Sequence, residues 1–417
     1  MQETFYKILP NGLKIVHRQT LSPVIYTGVM VGAGTRDEES EENGMAHYIE
    51  HCVFKGCTQT GKQGVHNVSA REIINRIEGI GGEINAYTTK EETTYYAAVP
   101  REHFDATLRL IGNMVLHPIF PKKETDLEVG VILDEIESYN DSPSELIYDD
   151  FEHLLFDAHP LGLPVLGSKK TLRHISRSPR YAAEWVKAHY RPEHMVVFVQ
   201  GDVSFKRVCR IAEELFGSLV AGQEGQKRQQ PAVSAGQTAT YKRHTHQTHI
   251  MLGGKAYPLG HEKQLTLYLM NNILGGGSLN SRLNMSLRET KGLVYTIDSQ
   301  YTPLSDTGYW NIYMATEPQH QEQCITLVQK ELKRLRDERL STLQLSRAIK
   351  QLHGQMAIAA ENRENNALAM AKQMLYKGEA PTWEEIFPTI ARITSAELQD
   401  VANEIYQEAK TDTLLYL

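Results

Sequence analysis

The chain has 417 residues, too many for one ordinary hydrophobic core, so two or three domains are expected. With 41% hydrophobic and 23% charged residues it has a globular composition, and a net charge of -7 without a concentrated basic face excludes nucleic acid as the main partner. No apolar run is long enough to cross a bilayer and residues 1–16 lack the apolar stretch of a signal peptide, so the chain reads as cytoplasmic, without a membrane partner.

Tyr6-Lys7-Ile8-Leu9 and Leu13-Lys14-Ile15-Val16, separated by Pro10-Asn11-Gly12, predict a hairpin. Residues 24–31 predict another strand, which runs through Gly32-Ala33-Gly34 into an acidic run at 37–42. That run reads first as a solvated loop. It also puts negative charge near the start of the next helix, where the helix dipole favours it.

That helix, predicted over 44–55, carries His47-Tyr48-Ile49-Glu50-His51. Histidines at i and i+4 leave one helical face and can share a metal ion, and Glu50 rises on the same face, beside the place of a metal-bound water. The order inverts the better-known zinc-protease helix motif and points to a zinc hydrolase. In a chain with 17 histidines such a match arises by chance in roughly one sequence in twenty. The plain alternative is an amphipathic helix with Ile49 and Val53 in the core and the histidines on its polar face. Cys52 points about 100 degrees away from His51 on a helix and is not counted as a ligand. Cys52, Cys57, Cys209 and Cys324 have no framework spacing, which suits a reducing compartment.

Residues 70–80 predict a helix that stops at Gly81-Gly82, and 83–89 with 93–99 predict paired strands rich in β-branched and aromatic residues. Helices are predicted at 103–115 and 122–138. A zinc site needs a third protein ligand and one open position. Glu128 and Glu135 lie two turns apart on one face of the second helix, so one can bind metal while the other hydrogen-bonds a ligand. The alternative is a surface helix with ordinary carboxylates.

A helix at 180–189, a buried strand at 195–201 and the segment 203–215 close the first half; a helix at 396–407 and a strand at 413–417 close the chain in the same manner. Residues 220–237, rich in Gly, Gln, Ser and Ala, form a linker between halves whose related endings argue for internal duplication. His244, His246 and His249 open the second half in a strand-like stretch. His244 and His246 would share a sheet face, which makes a second metal site conceivable, but no carboxylate or cysteine accompanies them and exposed edge-strand histidines are the simpler reading. The turn at 274–278 lacks the lysine and hydroxyl of a phosphate loop. Arg288 and Tyr295, flanking Gly292, are donors able to grip substrate carbonyls, and taken alone are ordinary boundary residues.

Three ordered motifs, Gly44-Met45-Ala46-His47-Tyr48-Ile49-Glu50-His51-Cys52-Val53-Phe54-Lys55-Gly56, Gly81-Gly82-Glu83-Ile84-Asn85-Ala86-Tyr87-Thr88 and Glu128-Val129-Gly130-Val131-Ile132-Leu133-Asp134-Glu135, with His159-Pro160-Leu161-Gly162 and the Arg288/Tyr295 pair, resemble the pitrilysin/insulinase family of zinc peptidases. The similarity is closest to its short-chain, mitochondrial-processing-peptidase-like bacterial branch and runs from about Tyr6 to the C-terminus. The resemblance implies an α+β fold of two homologous domains, each a mostly antiparallel β-sheet packed with α-helices: 1–219 catalytic, 220–237 linker, 238–417 C-terminal. It implies one zinc ion per chain on His47, His51 and Glu135, Glu50 as general base, and Glu128 orienting a ligating histidine. Asn85, Ala86 and Tyr87 would lie on an edge strand that pairs with a peptide substrate, and Arg288 and Tyr295 would contact its carbonyls. The interval from His51 to Glu135 is several residues longer than is usual in the family, and residues 63–69 look like the extra loop. Longer members enclose substrate with four related domains, so this two-domain chain is expected to act as a homodimer. The competing classes are a non-catalytic peptide-binding or scaffold subunit, against which the intact motifs argue, and a small zinc lyase, for which the chain is too long.

Overall fold

The computed structural model describes residues 3–61, 64–222, 228–232, 236–243 and 245–417. In chain order the first half contains β1 (Glu3–Ile8), β2 (Lys14–Gln19), β3 (Val24–Val31), α1 (Met45–Val53), β4 (Gly56–Gly61), β5 (Gly64–Ser69), α2 (Ala70–Glu78), β6 (Glu83–Thr88) and β7 (Thr93–Pro100). There follow α3 (Phe104–Leu116), α4 (Lys122–Asn140), α5 (Pro143–Phe156), α6 (Lys169–Ile175), α7 (Pro179–His189), β8 (Met195–Gly201) and α8 (Phe205–Phe216). The second half contains β9 (Thr238–Tyr241), β10 (Thr248–Ala256), α9 (Gln264–Gly275), β11 (Val294–Pro303), β12 (Gly308–Thr316), α10 (Gln321–Asp337), α11 (Thr342–Ala359), α12 (Arg363–Lys377), α13 (Trp383–Ile390), α14 (Ser395–Ile405) and β13 (Asp412–Tyr416).

Two compact units result. In the first the strand order is β1-β2-β8-β3-β7-β6; in the second it is β11-β12-β10-β13-β9. Read from the other edge, the second order places β9, β13, β10, β12 and β11 where the first places β2, β8, β3, β7 and β6. The pairing sense matches too: β2 with β8 and β9 with β13 are parallel, and the remaining pairs are antiparallel. The duplication therefore extends from the two endings to the whole sheet, and the fold is α+β as expected.

Strand alternation makes each sheet apolar on both faces. In β8, Met195, Val197 and Val199 join the core that contains α1, α3, α7 and α8, while Val196 and Phe198 face a second cluster with Ala367, Met370, Ala371, Met374 and Leu375 of α12. In β10, Ile250 and Leu252 pack with α9, α10 and α14, and Met251 packs with Leu146, Ile147, Phe151 and Leu155 of α5. The helices α5 and α12 occupy equivalent places in the two repeats, and each covers the sheet of the other repeat. The units are accordingly 1–137 with 163–228 and 360–382, and 138–162 with 229–359 and 383–417. They differ from the sequential partition at 220–237 by these two exchanged segments, because a helix with one apolar stripe is placed by whichever sheet face it covers.

Of the expected linker, 223–227 and 233–235 lie outside the described residues, and the rest has no helix or strand. Gln63 also lies outside them. The remainder of the expected extra loop is the strand β5, which pairs antiparallel with β4 and buries Val68 beside Cys57; hairpin pairing satisfies backbone groups that a loop would leave to water. His244 lies outside the described residues, and His246 sits in a bend before β10 begins, so only His249 is in the strand, bonded through Nδ1 to the Tyr313 hydroxyl at 2.9 Å. All four cysteines are buried and free. Among the described residues, no helix is long and apolar enough to cross a membrane.

Candidate metal centre

The first unit builds its site on α1. The helix starts at Gly44, whose φ of 93° is left-handed and where a Cβ would lie 2.9 Å from the Gly167 Cα, so both conformation and space call for glycine. Gly44 offers no side chain to the orphan N–H groups of the first turn, and Glu38 serves instead. Its Oε1 accepts from the Ala46 N–H at 2.7 Å, and its Oε2 accepts from the Gly44 N–H at 2.8 Å and from Asn43 Nδ2 at 3.1 Å. Glu38 is buried, so the acidic run is a solvated loop only in part: Glu39 and Glu41 are exposed, and Asp37 is paired with Arg228. Ala46, Tyr48, Ile49, Cys52 and Val53 lock the opposite side of α1 into the core.

The core-facing stripe leaves His47 and His51 together, ring centroids 4.7 Å apart. From α4, Glu135 Oε2 lies 3.8 Å from His47 Nε2 and 3.6 Å from His51 Nε2. Among the described residues these three form a group able to hold a metal ion, with donor atoms all within 4.8 Å of one another. Ligands about 2.1 Å from a tetrahedral zinc stand roughly 3.4 Å apart. The observed separations are too long for direct hydrogen bonds and fit an ion between the donors. Burial, with His51 alongside, pushes the His47 imidazole down to about 3, so it is neutral and a lone-pair donor at neutral pH.

Glu128 lies one step behind. Its Oε2 is 3.0 Å from His51 Nδ1 and its Oε1 is 2.6 Å from Lys55 Nζ. A carboxylate at Nδ1 fixes the proton there and leaves Nε2 unprotonated towards Glu135. Glu50 is on the same helix, and its Oε2 accepts from the Thr88 hydroxyl at 2.6 Å. Burial raises the Glu50 carboxyl above the usual range; the Thr88 hydrogen bond and His51 oppose this, and Glu135 adds to it.

Asn85, Ala86 and Tyr87 lie on β6, which among the described residues ends the sheet and pairs only with β7. Arg288 and Tyr295 belong to the second unit. Arg288 lies in the π-helical segment Asn284–Glu289, 3.9 Å from Glu289, and Tyr295 is 82% exposed near the start of β11. Two contributors escape sequence reasoning, Thr88 and Lys55, and Glu38 is foreseen only as part of an acidic run near the helix start. Strand alternation gave one signal, since Thr88 shares a face with Ala86, which packs against the core.

Comparison with known proteins identifies the family. Residues 14–169 match the family described as Insulinase (Peptidase family M16), and residues 181–352 match the Peptidase M16 inactive domain. The chain belongs to peptidase family M16. Its relatives include an uncharacterized zinc protease, YmxG, of Bacillus subtilis, 31% identical over 400 residues that cover 95% of this chain and 94% of that one. An uncharacterized zinc protease of Rickettsia felis is 29% identical over 417 residues, covering 100% and 98%. Among solved structures, a protease from Helicobacter pylori has a TM-score of 0.88 at 21% identity and covers all of both chains. A peptidase M16 inactive domain from Pseudomonas fluorescens has a TM-score of 0.89 at 20% identity, covering 99% and 97%. At that identity these two speak to the M16 fold alone. The insulinase match contains His47, Glu50, His51 and Glu135, whereas the match described as inactive contains none of them.

Proposed function

We propose that this M16 chain is a zinc metalloendopeptidase that hydrolyses peptides or unstructured protein segments. The observation that carries the reading is the convergence of His47, His51 and Glu135 donor atoms within 4.8 Å, with Glu50 on the same helix. Zinc held there supplies Lewis acidity to a peptide carbonyl and to water. The other steps are the work of side chains. Thr88 occupies one oxygen of Glu50, so the other takes a proton from the attacking water and passes it to the departing amine. The raised basicity of the buried carboxylate favours that uptake. A substrate backbone adds to the open edge of β6 at Asn85, Ala86 and Tyr87, extended so that its scissile bond is presented rather than folded away. Arg288 and Tyr295 are the donors to substrate carbonyls, and a phenol on a developing oxyanion contributes about 3 kcal/mol. A homodimer completes the enclosure around the substrate; a fully active monomer in solution would count against that part.

The test is Glu50→Gln. The variant is expected to bind zinc as the parent does and to lose cleavage of an unstructured peptide by at least about 100-fold. Parental cleavage by a zinc-loaded Gln variant removes Glu50 from the role of base.

A further inference from the structure

We infer that Arg228 is a positioning residue that sets both the metal helix and the Glu50 contact from the point where the chain leaves the first unit. The inference rests on the peptidase reading of that site. Arg228 ends the 163–228 segment of the first unit, and Gln229 begins the 229–359 segment of the second. Its guanidinium reaches two segments that do not otherwise follow one another in sequence. Nε and Nη2 bind Asp37 in a bidentate pair at 2.9 and 2.7 Å, and Nη1 and Nη2 bind the Glu91 carboxylate and carbonyl at 3.2 and 2.9 Å. Nη2 also donates to the Gly32 carbonyl at 3.3 Å.

Each anchored segment leads directly into the site. Asp37 precedes Glu38, the residue that caps the start of α1. Glu91 belongs to the β6–β7 turn, three residues after Thr88, which holds Glu50. The two segments touch each other through Thr35 N–H to the Thr89 carbonyl at 3.2 Å and Arg36 N–H to the Lys90 carbonyl at 2.7 Å, and Arg36 also pairs with Glu91 at 2.6 Å. From the far side, Lys372 and Tyr376 of α12 hold Glu92 at 2.6 and 2.7 Å. Glu91 and Glu92 are almost wholly buried in this turn. A tight turn with two buried carboxylates is held in shape by the cations that Arg228, Arg36 and Lys372 bring to it, and removing one weakens that hold. The guanidinium fork suits two carboxylates at fixed angles, which a lysine cannot reproduce. The hydrogen bonds of Arg228 go to Asp37, Glu91 and Gly32 and not to the metal ligands or Glu50; it acts through Asp37-Glu38 on one side and the turn and Thr88 on the other.

The experiment compares Arg228→Met and Arg228→Lys with the parent at a temperature where circular dichroism shows each folded. Displacements of about an ångström at a site cost about 100-fold in rate, and loss of indirect support to metal ligands costs about 10- to 100-fold in affinity. In Arg228→Met, kcat is expected to fall about 10- to 100-fold, KM to stay within about threefold, and zinc affinity of the apoprotein, read by chelator competition, to fall about tenfold. Arg228→Lys should recover part of both losses. A residue that only stabilises the fold would lower the thermal midpoint and leave kcat and zinc affinity at parental values; that result in a folded Met variant overturns the inference. If the Met variant does not fold, Lys carries the test, and parental kcat and zinc affinity there overturn it equally. Glu50→Gln is run beside them: if that variant still cleaves peptide, the peptidase reading of Glu50 fails, while the zinc-affinity arm still decides the role of Arg228.

Discussion

Replacing Glu128 by Ala is expected to weaken zinc binding by about 10- to 100-fold, or about 1.4 to 2.7 kcal/mol. Glu128 holds the His51 Nδ1 proton at 3.0 Å and the Lys55 ammonium at 2.6 Å, with only 12% of its own side chain exposed. Its removal leaves a half-buried N–H without its acceptor, frees the ring to turn, and leaves the Lys55 charge unneutralised beside a site that must accept a dication. One charge-assisted hydrogen bond is worth about 1.5–3 kcal/mol, which matches the range from metal sites. Glu128→Gln keeps an acceptor and loses the charge, so its loss should fall near the lower end. Glu135→Gln removes a ligand and should weaken binding more than either. Competition of the apoprotein with a chromophoric chelator gives all three affinities without reference to catalysis. Should Glu128→Ala bind zinc within about threefold of the parent, or more weakly than Glu135→Gln, the ordering of ligand and supporting carboxylate is wrong.

Two predictions concern stability. His17 is buried in β2, stacked with Phe5 and Phe205 and 3.3 Å from the Gly201 carbonyl, and burial pushes its imidazole down to about 4. The unfolded chain, at about 6.5, binds this proton more readily, so the contribution is fully present above pH 6.5 and is lost as pH falls from there to 4, by about 3 kcal/mol. His17→Phe should remove that part of the acid-side slope in urea unfolding; an unchanged difference between pH 7 and pH 4.5 would rule it out. Glu38→Ala strips acceptors from two helix-start N–H groups and the Asn43 amide, and is expected to cost about 2 kcal/mol in the same assay and to lower zinc affinity. A stability loss without any change in zinc affinity would separate the cap from the metal helix's alignment.

Much of this arrangement is readable from local pattern. The i, i+4 histidines, the two-turn spacing of Glu128 and Glu135, and the apolar run of β8 each state a geometry that local backbone period alone determines. Glu128 and Glu135 could not be told apart from spacing, since both sit on one face of α4; His51, by presenting Nδ1 to one and Nε2 to the other, separates them. What local pattern cannot carry is which distant partner a polar or apolar face meets. Glu38 in a run of acids reads first as solvated, whereas the fold buries it against the Gly44 and Ala46 N–H groups and the Asn43 amide. The apolar stripes of α5 and α12 say that each covers a sheet, but the choice of sheet depends on chain paths of more than a hundred residues.

The duplication also explains why one centre per chain is the expectation. The strand order makes α9 the counterpart of α1 and α11 the counterpart of α4. The sequence of α9, QLTLYLMNNILG, has neither histidine nor carboxylate, and α11 has no carboxylate at all. The second repeat thus keeps the two helices without counterparts of His47, His51 and Glu135 at these places, and the description of residues 181–352 as an inactive domain fits that difference. The same exchange that covers each sheet also stops the repeats from diverging freely. Met370 and Met374 of α12 belong by sequence to the repeat without ligands, yet they pack on Val196 and Phe198 of the strand layer beneath the centre. The helix α12 of the repeat without that donor set therefore completes the core of the one that carries it. Substitutions in α12 should act on the stability of the first unit before they touch anything in the second.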